Sequence, residues 1–199
     1  MKIMEKKQIA MISVLFAASV LVWGMAGVVY GQAKTAKYLG VNKCKMCHSS
    51  AAGGNQYGKW METLHSKAFD NLASAQAKEL GGKQGITDPQ TSDKCIKCHE
   101  TAFGVSKDML DAKFDPKLGV QCETCHGPGE NHVKARMAAA SSGDTDKGQG
   151  VTIPASEING KTDAKVCLGC HNKESPTFTG FDFDKMSKQI AHPDPRLKK

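Results

Sequence analysis

Apolar residues recur at three- and four-residue steps through Tyr57, Trp60, Met61, Leu64, Ala68, Phe69 and Leu72. That period puts one side of an α-helix against a core, and it predicts a helix over residues 56–80. Gly81 and Gly82 then stop it. A shorter helix is expected after His132, through VKARMAAA, and a last one from near Asp184 to before Pro193. Residues 141–165 are polar and glycine-bearing and read as a surface connection, with Asp163 capping the turn that follows. Little sheet is expected. The longest apolar stretch covers residues 9–30, behind Lys2, Lys6 and Lys7 and ahead of the small-residue run Gly31-Gln32-Ala33. This is the pattern of an export signal over residues 1–33, leaving 34–199 as one domain. The stretch is also near the roughly 20 residues that span a bilayer, so an uncleaved anchor is the alternative.

The cysteines change the picture. All 8 fall into four copies of one pattern: Cys44-Lys-Met-Cys47-His48, Cys95-Ile-Lys-Cys98-His99, Cys122-Glu-Thr-Cys125-His126 and Cys167-Leu-Gly-Cys170-His171. C-x-x-C-H is the attachment pattern of c-type haem. The two thiols add to the haem vinyl groups, and the adjacent imidazole binds the iron. On a helical turn the three side chains project from one face, so a short piece of chain grips both porphyrin edge and metal. Zinc held by paired C-x-x-C units gives no reason for a histidine after each pair. A redox dithiol occurs once, in a strand–helix setting. Disulfides suit an exported chain but leave four histidines in register unexplained. Four covalently attached haem c groups, with iron, are the expected cofactors.

The motif starts at residues 44, 95, 122 and 167 are unevenly spaced, which excludes a solenoid. Beyond residue 33 the chain offers about 40 residues per motif, and aromatics make up only 6% of it. The expected fold is therefore mainly α and loop-rich, with the haems forming much of the core and cofactor binding supplying folding free energy.

Four irons offer eight axial positions, while the chain has 7 histidines. The motif residues His48, His99, His126 and His171 fill four, and His65, His132 and His192 are the candidate distal ligands. At most three irons are bis-histidine. The remaining one is open or water-bound, or takes a sulfur from Met61, Met109, Met137 or Met186. Gly127 and Gly129, in the loop between His126 and His132, suit close passage of backbone beside a porphyrin.

Over nearly the whole of residues 34–199 the sequence resembles the tetrahaem cytochrome c-554 family. The likeness rests on the first motif followed by Trp60 and His65, a lone second motif, the run GVQCETCHGPGENH, and a fourth motif followed by SPTFTGFDFDKMSKQIAHP. The resemblance implies a periplasmic electron carrier with closely packed haem pairs, three haems bis-histidine and one five-coordinate. Carried over by motif position, it assigns His192 to the first haem, His65 to the third and His132 to the fourth, with His99 holding the second alone. The chain departs from the family in a short segment between His126 and His132 and in a C-terminus close behind His192.

The expected function is electron relay between redox proteins, not enzymatic turnover. Six-coordinate haems exchange electrons with little ligand rearrangement, and no acid/base constellation can be assigned around His99. Two alternatives remain: reduction of a small nitrogen oxide at the five-coordinate haem, and a subunit of an extracellular cytochrome polymer. Export places the chain in the periplasm or on the outer face of the cytoplasmic membrane, with membrane association through the N-terminal segment if it is kept. The partners are donor and acceptor cytochromes or membrane quinol-linked complexes. Removing residues 1–33 takes away three lysines and Glu5, so the formal charge falls from +7 to +5. Haem propionates offset more of it, which argues against a nucleic-acid partner.

Overall fold

The structure is a computed structural model, and it describes residues 36–142 and 153–196. The candidate export segment lies outside the described residues. Short helices and turns follow one another: α1 (Val41–His48), α2 (Gln56–Met61), α3 (Ala68–Asn71), α4 (Ala75–Gly82), α5 (Asp93–His99), α6 (Cys122–His126), α7 (Glu130–Ser141), α8 (Ala164–Leu168) and α9 (Phe183–Gln189). Turns of 3₁₀ geometry at Ala51–Gly53, Leu64–Lys67, Pro89–Thr91, Lys107–Met109 and Pro116–Leu118 join them. The β structure among the described residues is an isolated parallel bridge between Tyr38 and Leu110. No helix among these residues is long and apolar enough to cross a membrane.

The continuous helix expected over residues 56–80 is broken into α2, a 3₁₀ turn, α3 and α4. Thr63 is extended at φ −85°, ψ 161°, and its hydroxyl donates to the Trp60 carbonyl oxygen at 2.7 Å. Ser74 is extended too, and its hydroxyl accepts from the Ala77 amide at 3.1 Å, starting α4 afresh. Side chains that bond their own backbone compete with the helix ladder, and the apolar period runs through such breaks without registering them. The stop at Gly82 is as expected. Helix α7 begins at Glu130, so it carries His132 instead of following it. Helix α9 lies within the expected span, and Asp163 caps α8 by accepting from the Lys165 and Val166 amides at 2.9 and 3.3 Å.

The buried apolar residues are few: Leu39, Val41, Ala68, Phe69, Leu72 and Val120 among the described ones. Polar groups complete the interior. Gln121 and Thr101 are each 1% exposed and Glu123 2%. The Val41 amide donates to Gln121 Oε1 at 2.8 Å, and Gln121 Nε2 donates to the Asp115 carbonyl oxygen at 2.7 Å. The Thr101 hydroxyl accepts from the Gln121 amide at 2.7 Å and donates to the Gly119 carbonyl oxygen at 3.0 Å. Trp60 Nε1 donates to the Val120 carbonyl oxygen at 2.8 Å, and the Val120 amide donates to that of His65 at 2.9 Å. Gly119 makes the crossing feasible. Its φ is +81°, and a Cβ there would lie 2.6 Å from the His65 carbonyl oxygen. The stretch around residues 119–123 thus ties α1, α2 and the His65 turn to the third motif.

Candidate haem-binding sites

Each C-x-x-C-H copy sits on or beside a short helix. The first three histidines close α1, α5 and α6. The fourth copy starts on α8 and finishes in the turn beyond it, where the His171 amide still bonds the Cys167 carbonyl oxygen at 2.9 Å. No two of the eight cysteines are joined as a disulfide. Among the described residues, which include every cysteine and histidine, no three metal-binding side chains converge on one point. A four-ligand zinc centre needs such convergence, so this arrangement does not fit it.

Glu123, between the two cysteines of the third copy, fastens that copy to the first. Its Oε1 accepts from the Leu39 amide at 2.9 Å and from the Gly129 amide at 2.7 Å, and its Oε2 accepts from the Gly40 amide at 2.7 Å. Burial raises its carboxyl above the ordinary value, while these amides act in the opposite direction. Leu39 and Gly40 enter α1, which has no side-chain cap of its own, so Glu123 and Gln121 take over its first amides.

The histidine rings meet in pairs. His48 lies opposite His132 with ring centres 6.2 Å apart, His171 opposite His65 at 6.0 Å, and His126 opposite His192 at 5.9 Å. Imidazole nitrogens bind metals at about 2 Å and sit roughly 1 Å from their own ring centres. Two imidazoles on opposite sides of one metal therefore have centres about 6 Å apart. The three observed spacings match that figure. The ring planes differ by 28° in the first pair and by 73° in the other two. His99 faces no second histidine within a paired spacing among the described residues.

These partners are not the ones carried over from the resemblance. His132 faces the first motif, not the fourth; His65 faces the fourth, not the third; and His192 faces the third, not the first. Contacts between Lys37 and Glu130 explain the first exchange. The Lys37 amide donates to Glu130 Oε2 at 2.9 Å, and the Glu130 amide donates to the Lys37 carbonyl oxygen at 3.3 Å. That ladder lays the start of α7 beside the chain leading into α1, so His132 turns towards His48. The close approach of Gly119 and Val120 to the His65 turn fixes His65 from the other side. Of the loop glycines, Gly127 has φ +78° with nothing near a Cβ, whereas a Cβ on Gly129 would lie 3.1 Å from Glu123 Oε1. Gly129 therefore makes room for a carboxylate.

Four of the rings have an Nδ1 contact to an uncharged oxygen. His99 Nδ1 lies 2.6 Å from the Ala68 carbonyl oxygen, His126 Nδ1 2.7 Å from that of Asn159, and His192 Nδ1 2.7 Å from that of Ile190. His48 Nδ1 lies 3.3 Å from Gln56 Oε1. A ring that donates from Nδ1 keeps Nε2 free for a metal, and its orientation is set. Burial lowers the affinity of His65, His126 and His132 for a proton. Neutral imidazole is the form that binds metal. Sequence reasoning missed this second layer. Three of its acceptors are backbone carbonyls, which any residue presents, and Asn159 lies in the segment read as a surface connection.

The motifs also touch one another. Helix α1 packs on α6, and α6 packs in turn on α8. Lys97, beside the second motif, pairs with Glu174, just after the fourth. The attachment points thus follow the order first, third, fourth, second.

The family described as cytochrome c554 and c-prime matches residues 43–127. Cytochrome c-554 of Nitrosomonas europaea is 30% identical over 185 residues, covering 79% of this chain and 75% of that protein. The reduced-state structure of cytochrome c554 from the same organism superposes with a TM-score of 0.55 at 25% identity, over 80% of this chain and 86% of that one. The multihaem cytochrome MtrA of Shewanella baltica is 28% identical over 97 residues, 46% of this chain and 26% of its own length. With this similarity and these motifs together, the chain belongs to the cytochrome c-554 family of multihaem c-type cytochromes, electron carriers with covalently attached haem c.

Proposed function

We propose that the chain is an exported, periplasmic relay with four haem c groups, three bis-histidine and one five-coordinate. His48 and His132 would hold the haem of the first motif, His126 and His192 that of the third, and His171 and His65 that of the fourth. His99 would hold the second alone. The carrying observation is the three imidazole pairs at the separation one metal requires, beside one motif histidine without a counterpart. Bound there, haem c supplies a one-electron change at iron.

The protein's part is to hold and orient. Paired neutral imidazoles keep one coordination in both oxidation states, and fixed Nδ1 contacts prevent ring rotation. The packing of α1 on α6 and of α6 on α8, with the Lys97–Glu174 pair, favours a first–third–fourth–second sequence of attachment points, with the five-coordinate position at one end. Such a chain accepts an electron from one redox protein at one end and yields it to another at the other end.

Electron paramagnetic resonance of the oxidised holoprotein, with intact mass, tests this. The mass should show four haems. The spectrum should show one high-spin and three low-spin irons. Near-parallel ligand planes give ordinary rhombic low-spin signals, and near-perpendicular planes give strongly anisotropic ones. One rhombic and two strongly anisotropic signals are therefore expected. Four low-spin irons, or another haem count, would overturn the reading.

A further inference from the structure

Among the described Nδ1 contacts, that of His132 differs in kind. The others face backbone carbonyls or the Gln56 amide oxygen, which are uncharged. His132 Nδ1 faces a carboxylate, with Glu157 Oε2 at 3.4 Å. Both atoms are buried and neither makes a hydrogen bond elsewhere, so they face each other as a close charge-to-ring contact that is longer than a formed hydrogen bond. The other carboxylate oxygen, Oε1, accepts from Arg136 Nη2 at 2.8 Å. Arg136 stands four residues beyond His132 on α7, on the same face of that helix. Glu157 comes from the segment before α8, and its side chain is 14% exposed. Helix and segment thus enclose a row of arginine, carboxylate and imidazole behind the His132 ring.

We propose that Glu157, anchored by Arg136, is a positioning residue that sets the ring plane of His132 and raises its donor strength, making the first-motif haem harder to reduce. This rests on the ligation proposed above. A carboxylate behind a ligating imidazole draws its N–H proton and makes the opposite nitrogen a better electron donor. A stronger donor favours ferric over ferrous iron. The same contact holds the ring near-parallel to His48, at 28°, where the two pairs without a carboxylate stand at 73°.

The test uses the oxidised and the potentiometrically titrated holoprotein. His132→Gly first identifies the haem: one low-spin signal should become high-spin, and if none does, the ligation reading fails. Glu157→Gln keeps the shape and an acceptor oxygen but removes the charge. At a fixed potential it should raise the reduced-to-oxidised ratio of that haem roughly tenfold, about 59 mV for one electron, and leave the other three in place. Glu157→Leu should also convert its rhombic signal into a strongly anisotropic one. With His132 shown to ligate, an unmoved potential in Glu157→Gln, or an equal shift in all four haems, would overturn the proposal.

Discussion

At the scale of single residues, stability rests on polar side chains that have no place in a hydrophobic pattern. Glu123 accepts from three backbone amides of two chain segments while itself almost wholly buried. Truncation to alanine leaves those amides without an acceptor in a site closed to water. Glu123→Ala should lower the unfolding free energy of the holoprotein by about 3 kcal/mol, read as a fall in the denaturant midpoint. Glu123→Gln, which keeps one carbonyl oxygen, should lose less. The position was legible only as a spacer inside C-x-x-C-H. Its role depends on residues more than eighty positions earlier, and no local signal carries that distance.

At the scale of elements, punctuation was read better than continuity. Asp163 was legible as a cap because the side chain acts on amides two and three residues away. Asp163→Ala should cost about 1 kcal/mol and should loosen the fourth motif first, visible as faster amide exchange in α8 than in α5 or α6. Thr63 and Ser74 carried similar signals, but the apolar period around them was strong enough to be read as one helix. The histidine inventory was equally legible, since it needs only counting. Which rings face each other was not. It follows from where α7 and the chain after α9 run, and that is fixed by contacts such as Lys37 with Glu130. Motif position is a poor guide to such pairings, because a change of loop length leaves the motif intact while redirecting the chain.

At the scale of the whole molecule, a small apolar interior of six described residues spans many short helices. Large apolar side chains remain at the surface, Leu64 at 77% exposure and Met46 at 69%, both close in sequence to haem-ligand candidates. A chain of this kind gains most of its stability on loading. Protein made without haem attachment should therefore show weak helical circular dichroism and no cooperative thermal transition, whereas the loaded form should show both. The packing of α1, with its cysteine pair, against α6, with another, has a consequence for biogenesis. In an oxidising compartment, thiols of separate motifs that met before haem attachment would be open to joining as a disulfide. Attachment ahead of packing would avoid that cross-link, so assembly is expected to run from modification to folding.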